Sequence, residues 1–139
     1  MIGAIGLLAS GVLAALGLLH LYWAFGRRSP GTAFIPEVAG QPTFVPTTSA
    51  TVVVAALLFI ASTLLLGRVC GWGEPALGRV FTWGTCGVAV AFFLRAIGDF
   101  RLVGFFKRVR GTAFARWDSR LLSPLCLGLA IAALAVVVR

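Results

Sequence analysis

Acidic side chains are scarce in this sequence. Its 139 residues contain four carboxylates against twelve lysine and arginine residues, which leaves a formal net charge of +8. The basic residues flank apolar runs and do not form a patch interleaved with exposed aromatic residues, so the charge does not indicate a nucleic-acid partner. The carboxylates are Glu37, Glu74, Asp99 and Asp118.

Histidine and cysteine are too few for several kinds of chemistry. His20 is the single histidine, and Cys70, Cys86 and Cys126 form no Cys-x-x-Cys pair. Such a set cannot supply a three- or four-ligand zinc site or two axial haem ligands within one chain, and the odd number argues against a disulfide framework. P-loop, dinucleotide-binding and Gly-x-Ser-x-Gly motifs are absent. We therefore expect no metal and no cofactor, and assign no catalytic residue.

Apolar residues are abundant, at 60% of the chain. A soluble domain of this size exposes too much surface to hide them, whereas lipid accepts helices that are apolar all round. The first run starts at Met1 without a basic flank or a clear cleavage site, so we interpret it as a retained helix. We predict an all-α fold, a four-helix membrane bundle forming one domain over residues 1–139, with spans at about residues 2–25, 47–69, 77–98 and 119–138.

Two long connections differ in character. The first, 26–46, holds four prolines that exclude a continuous helix, yet its apolar residues suit folding back over the helix ends or dipping into the interface. The third, 99–118, is basic. If it is helical from Phe100 to Val109, Arg101 and Arg108 share one face, as in an amphipathic helix on the membrane surface. The alternative is that run three continues out of the bilayer as a longer helix.

Basic residues also predict the orientation. Four spans put both termini on the side of the short link between runs two and three. That side carries Arg68, Arg79 and Arg139, while the opposite side carries Arg27, Arg28, Arg101, Lys107, Arg108, Arg110, Arg116 and Arg120. The positive-inside rule then places the two long connections in the cytoplasm and both termini outside.

Polar groups inside or beside the spans gather at that same face. Each costs roughly 2.5 to 3.5 kcal/mol to insert, so each needs a reason. His20 lies near the end of run one, Arg95 and Asp99 stand four residues apart near the end of run three, and Asp118 marks the start of run four. The candidate ligand-binding residues are His20, Trp23, Arg95, Asp99, Arg101, Trp117 and Asp118.

Structural roles compete with ligand binding at these positions. His20 can be an interfacial imidazole satisfied by a backbone carbonyl, and Arg95 with Asp99 can be a pair that locks helix three to its neighbours. Asp118 beside Ser119 is a favoured helix N-cap. The tryptophans suit anchoring at the membrane interface. The co-occurrence of these groups at one face is stronger evidence for a site than any one of them.

Several of these residues fall in motifs. They are His20-x-x-Trp23, Phe34-x-Pro36, Arg95-Ala-Ile-Gly-Asp99-Phe-Arg101, Phe114-x-x-Trp117-Asp118 and Ser123-Pro124. Together they resemble a family of small bacterial four-helix integral membrane proteins known only as a domain of unknown function. The resemblance covers nearly the whole chain and implies four spans in the bacterial inner (cytoplasmic) membrane. It implies no substrate, reaction or catalytic residue.

Three functional hypotheses remain. The first is a protein that binds or moves an anionic or lipid-like small molecule, with Arg95 and Arg101 holding the anion. The second is an intramembrane lipid-modifying enzyme of isomerase type, in which His20 and a carboxylate, Asp99 or Glu37, shuttle a proton. The third is a structural subunit that packs on a membrane partner or on another copy through its Gly/Ala-rich faces. Membrane lipids are expected neighbours in all three.

Overall fold

The computed structural model describes residues 1–26, 34–73 and 75–138. Glu74 and three of the arginines counted for orientation, Arg27, Arg28 and Arg139, lie outside the described residues. In chain order the elements are α1 (Ile2–Phe25), β1 (Glu37–Val38), β2 (Gln41–Pro42), α2 (Thr48–Cys70), α3 (Gly78–Ile97), α4 (Ala113–Trp117), a π-helical turn (Asp118–Leu122) and α5 (Ser123–Val137).

Four helices in the described residues are long and apolar enough to cross a membrane. They are α1, α2, α3 and the continuous helical stretch from Ala113 to Val137 that α4, the π-helical turn and α5 form together. Large apolar side chains such as Leu8, Trp83 and Ile131 are exposed on their outer surfaces. This is the arrangement expected when lipid is the solvent. The predicted all-α four-helix membrane bundle is confirmed.

The four helices run antiparallel to their neighbours. Gly6 near the start of α1 lies against Val69 at the end of α2 and Val136 at the end of α5. Gly84 near the start of α3 faces Leu64 in the second half of α2. One end of the bundle, the short-link end, therefore holds both ends of the described chain and the α2–α3 link. The other, the long-loop end, holds the two long connections.

A reciprocal hydrogen-bonded pair joins α1 to α2. The hydroxyl of Ser10 donates to the carbonyl of Ser62 over 3.0 Å, and the hydroxyl of Ser62 donates to the carbonyl of Ser10 over 2.9 Å. Both serines are buried beside Ala9, Leu13, Ala61 and Leu65 of the central core. Polar groups shared between helices are a usual means of association in lipid, where apolar burial contributes little.

The described part of the first connection folds into a small hairpin. β1 pairs with β2 in antiparallel register through a turn in which Ala39 and Gly40 have φ of 52° and 78°. The backbone and the hydroxyl of Thr43 both donate to the carbonyl of Pro36, each over 2.9 Å. Thr47 then caps α2, accepting from the amide of Ala50.

The third connection does not form a helix, although both predictions for it were helical. Residues 98–112 are non-helical, so the surface helix over Phe100–Val109 and the extension of run three are both wrong. The chain instead turns back on α3, with the amide of Phe105 donating to the carbonyl of Ala96. Gly98 and Gly104 have φ of 90° and 89°, and their backbones lie in close contact. A β-carbon on either residue would collide with the backbone of the segment that contains the other.

Asp118 is not a helix N-cap. The fourth spanning helix begins at Ala113, earlier than the run that was predicted from Ser119, and its cap is Thr112, whose hydroxyl accepts from the amide of Ala115 over 3.0 Å. That start places Asp118 inside the helix, where it is fully buried. A carboxylate so placed needs partners other than its own helix terminus.

Candidate functional site

Asp118 is the centre of a buried polar network at the long-loop end. Its Oδ1 accepts from Nη2 of Arg95 over 2.9 Å. Its Oδ2 accepts from the amide of Gly104 over 2.8 Å, from Nζ of Lys107 over 2.9 Å and from the hydroxyl of Ser123 over 3.2 Å. We call these five residues the Asp118 network; it ties α3, the third connection and the fourth helix together.

Lys107 has all three ammonium donors satisfied. Besides the Asp118 carboxylate, Nζ donates to the carbonyl of Gly104 over 2.9 Å and to the hydroxyl of Ser119 over 2.7 Å. Its side chain is buried. A lysine in an apolar region is stable only with such partners, and the third connection must fold back on α3 to supply them.

The helix widens where it carries Asp118. The amide of Ser123 donates to the carbonyl of Asp118, five residues back, which is a π-helical hydrogen bond. Pro124 follows and has no N–H to continue the α-helical ladder. Such single-turn π segments are frequent at functional sites. Here the wide turn lets the Ser123 hydroxyl reach the carboxylate that stands one turn earlier.

Arg95 pairs with Asp118 and not with Asp99, which corrects the pairing expected from the i, i+4 spacing. Its side chain remains 34% exposed. Nη1 of the guanidinium is covered by protein atoms, and within the described residues it has no hydrogen-bond partner. Two cations and one carboxylate give the Asp118 network a net charge of +1, since Arg95 and Lys107 contribute +2 and Asp118 contributes −1.

Asp99 shapes the loop. Its Oδ1 accepts from the amides of Arg101, Leu102 and Val103 over 2.9, 2.7 and 2.9 Å. Desolvation would by itself raise the pKa of this exposed carboxyl, but the hydrogen bonds from the backbone amides outweigh it and hold the pKa below its ordinary value. Asp99 thus stays ionised at neutral pH as the cap of a tight backbone turn, with its carboxylate engaged by the loop itself.

His20 and Trp23 line a recess between α1, α2 and the hairpin connection. Nδ1 of His20 lies 2.8 Å from the carbonyl of Leu16, so in the neutral ring Nδ1 carries the proton and Nε2 is an acceptor. The Trp23 ring packs edge-on against His20 at 5.2 Å and tilted against Phe34 at 5.4 Å. The recess encloses about 280 Å³. Apart from His20, Trp23 and Phe34, its walls are Ile35, Phe44, Val45, Pro46, Thr47, Ala50, Thr51 and Val54.

A larger groove runs between α2 and α3 and reaches Arg95. It holds about 590 Å³. Its lining is Val54, Leu57, Leu58, Ile60, Ala61, Leu64, Gly84, Gly87, Val88, Ala91, Phe92 and Arg95. Arg95 is the one polar side chain in this set. Val54 lines both the groove and the His20 recess, so His20 and Arg95 lie toward the same end of the bundle.

The predicted site residues form separate groups. Arg95 and Asp118 are joined directly, and His20 and Trp23 lie together in the recess. Asp99 contributes to the loop turn, where the carbonyl of Arg101 accepts from the amides of Arg108 and Val109. The side chains of Arg101 and Trp117 are exposed, and neither is part of the Asp118 network.

Three members of the network were missed by sequence reasoning: Gly104, Lys107 and Ser123. One signal was present, because Lys107 is the sole lysine among twelve basic residues and follows two phenylalanines. A chain that uses arginine everywhere else indicates a special requirement at that position. Lysine offers three donors from one compact ammonium, which suits the three acceptors around Nζ.

Comparison with known proteins adds a family and no chemistry. A family model described as "Protein of unknown function (DUF3995)" matches residues 13–133. No curated protein and no solved structure matches the chain. The matched range covers the spanning helices except the first turns of α1 and the end of α5, together with both long connections.

Proposed function

The chain belongs to the DUF3995 family, whose description names no activity, and from its geometry we propose that it binds an anionic amphiphile. The apolar tail occupies the groove between α2 and α3, and the headgroup lies beside Arg95. An anionic membrane lipid, or a small molecule of the same build, has this chemistry.

The observation that carries the proposal is the position of Arg95 in an otherwise apolar groove. Eleven of the twelve lining residues are apolar, and a groove of about 590 Å³ is large enough for a substantial part of an acyl chain. In a bilayer such a groove is filled by hydrocarbon. A guanidinium at one end gives it a preference for chains that carry an anionic group.

Charge supports the same assignment. The Asp118 network has a net charge of +1, and a net charge at the edge of hydrocarbon is costly without a counter-ion. Lys107 is enclosed with its three acceptors, whereas the Arg95 side chain remains 34% exposed. An anion beside the exposed part of Arg95 neutralises the network.

The isomerase hypothesis receives less support. General acid–base chemistry at His20 requires a carboxylate that shares the same ligand atom. Among the described residues that line the His20 recess none is acidic, Asp99 is engaged by the loop amides, and Asp118 is enclosed by its network. The structural-subunit hypothesis relied on small-residue faces; Gly6 and Gly17 are used for contacts within the chain, whereas Gly11, Gly87 and Gly128 remain open to a partner or to lipid.

The distribution of basic residues supports an orientation of the protein in the membrane. Among the described residues the long-loop end exposes Arg101, Arg108, Arg110, Arg116 and Arg120, while the short-link end has Arg68 and Arg79. Lys107 leaves this count because it is buried in an ion pair. The asymmetry favours a cytoplasmic long-loop end, with the proposed headgroup position at the inner leaflet.

The first experiment fills the groove. Gly87 lines it, and a β-carbon there would meet no atom within 4 Å apart from its own stretch of helix, so Gly87→Leu adds volume to the groove from an open position. Gly128→Leu is the matched control, since Gly128 is equally open and lies on α5 outside the groove. Native mass spectrometry of detergent-purified protein should find an anionic lipid on the wild type and on Gly128→Leu, and at least about tenfold less on Gly87→Leu.

The second experiment removes the charge. Arg95→Gln leaves Asp118 with Lys107 as a neutral buried pair, so the protein is expected to fold while losing its selectivity for anionic over zwitterionic lipid. Equal lipid retention by the two glycine variants, or unchanged selectivity in Arg95→Gln, would refute the proposed function. A thermal unfolding scan of each variant in detergent establishes that folding is intact.

A further inference from the structure

A second recess at the long-loop end is lined by arginines. It lies where the third connection enters the fourth helix and encloses about 220 Å³. Its walls are Arg110, Gly111, Ala115, Arg116, Ser119 and Arg120. None of these residues lines the groove between α2 and α3 or the recess at His20. We call it the arginine recess.

Positive charge in the arginine recess is unbalanced within the described residues. Its lining includes no carboxylate, and none of its three arginines forms an ion pair in the described part of the chain. Asp118 belongs to the same stretch of helix, but its carboxylate is fully buried between Arg95 and Lys107. Like charges drawn around one concavity repel each other, and an anion of two or more charges relieves that repulsion.

Two of the guanidiniums are held by backbone carbonyls. Nε of Arg110 donates to the carbonyl of Lys107 over 3.4 Å, and Nη1 of Arg116 donates to the carbonyl of Gly111 over 3.2 Å. Each contact uses one of the five N–H donors of an arginine and leaves the others for a ligand. The contact of Arg116, and more weakly the longer contact of Arg110, restricts these side chains before a ligand arrives, which lowers the entropy cost of binding.

Ser119 adds a hydroxyl donor to the arginine recess. Its oxygen accepts from Nζ of Lys107 over 2.7 Å, so its own proton remains available to a ligand oxygen. Three guanidiniums and one hydroxyl form a donor set typical of phosphate sites, where arginine binds two oxygens at once. A phosphomonoester offers these groups about two negative charges and three acceptor oxygens, whereas a carboxylate offers one charge and two oxygens.

We infer that the arginine recess is a phosphate-binding site, for a phosphomonoester or diphosphate group carrying at least two negative charges. The group is either the headgroup of an anionic lipid or a phosphate compound dissolved in water. Neither the residues nor the contacts of this inference include Arg95, so it goes beyond the proposed function and does not depend on it.

The test uses the full-length protein with two probes. Inorganic pyrophosphate is titrated calorimetrically in zwitterionic detergent, and phosphatidic acid is offered in nanodiscs of phosphatidylcholine, with bound lipid counted by native mass spectrometry. The test variant is Arg116→Gln/Arg120→Gln. The matched control is Arg101→Gln/Arg108→Gln, which removes the same charge from exposed arginines outside the arginine recess.

We expect binding to weaken at least about tenfold in the test variant and to change less than about threefold in the control. Pyrophosphate binding identifies a soluble source of the phosphate, whereas enrichment of phosphatidic acid alone identifies a lipid headgroup. Arg116→Lys/Arg120→Lys keeps the charge and the fold but loses the two-oxygen geometry. Its affinity for the phosphate probe should therefore fall between that of the wild type and that of Arg116→Gln/Arg120→Gln. The inference is overturned if the wild type binds neither probe, or if the test and control variants lose binding equally.

Discussion

Lys107 and Asp118 illustrate why a buried charge is seldom alone in a membrane protein. Asp118 carries four hydrogen bonds, and two of its donors are cations. Removing one partner of such a pair destabilises the fold more than replacing both partners by apolar residues, because the remaining charge stays buried without compensation. The two cations are not equivalent, since Arg95 is partly exposed while Lys107 is enclosed.

Asp118→Asn should therefore destabilise the protein strongly, by about 3 to 5 kcal/mol, because Lys107 is left as a buried charge. Lys107→Met should cost less, since Asp118 keeps Arg95 and the amide of Gly104. The measurement is the free energy of unfolding in mixed micelles of mild detergent and dodecyl sulfate.

The double variant separates a network from two independent residues. Lys107→Met/Asp118→Asn should cost less than the sum of the two single changes, by about 0.5 to 3 kcal/mol. Strict additivity would contradict the network. The exposed neighbour Arg108 serves as the control, and Arg108→Met should change the free energy of unfolding by less than about 0.5 kcal/mol.

Local backbone requirements explain one of the motifs of the sequence, the string from Arg95 to Arg101. Gly98 has a positive φ and nearly touches Gly104, which no residue with a β-carbon permits. Asp99 caps the amides that follow it, and Arg95 reaches Asp118. The string therefore forms the turn that returns the chain to α3. Arg95 is the one residue of the string that also lines the groove.

At the level of the elements, glycine decides how closely α1 approaches its neighbours. A β-carbon at Gly6 would lie 2.5 Å from Cγ2 of Val69 and 2.8 Å from Cγ2 of Val136, and valine side chains have little freedom to move away. At Gly11, on the same helix, it would meet no described atom within 4 Å. Close approach of helices through small residues is a main source of stability in lipid.

Gly6→Leu is accordingly expected to destabilise the bundle by about 1 to 3 kcal/mol, because it forces α1 away from α2 and α5. Gly11→Leu, the matched control, places the same side chain in lipid and should leave stability unchanged or slightly raised. Unfolding in mixed micelles measures both. A similar loss of stability in the two variants would show that helix separation is not the cause.

At the level of the whole molecule, the two ends of the bundle differ in charge and in connection length. The proposed orientation exposes the short-link end to the outside. Cys70 is exposed at that end, whereas Cys86 and Cys126 are half-buried within spanning helices. The difference makes Cys70 a natural reporter of sidedness.

A membrane-impermeant maleimide should label Cys70 in intact spheroplasts of a bacterial expression host, using Cys86→Ala/Cys126→Ala as background. The reverse reporter is Cys70→Ser with Ser49→Cys on that background, because Ser49 is exposed at the start of α2, on the long-loop end. It should react only after permeabilisation. Labelling of Ser49→Cys in intact spheroplasts would invert the proposed orientation.

The sequence by itself determined the membrane class and the existence of four spans. Hydrophobic transfer is a sum over neighbouring residues, so each run signals insertion without reference to any other part of the chain. The prolines of the first long connection likewise predicted that it would not form a continuous helix. These properties are local, and local composition is sufficient to predict them.

Only the tertiary structure decided which charges meet. Arg95 has Asp99 four residues away and Asp118 twenty-three residues away, and spacing on one helix favours the nearer carboxylate. Asp99 is engaged by three loop amides, and the loop that contains this turn places Gly104 and Lys107 beside Asp118. The choice depends on contacts between distant segments that form only together, so no window of the sequence contains it.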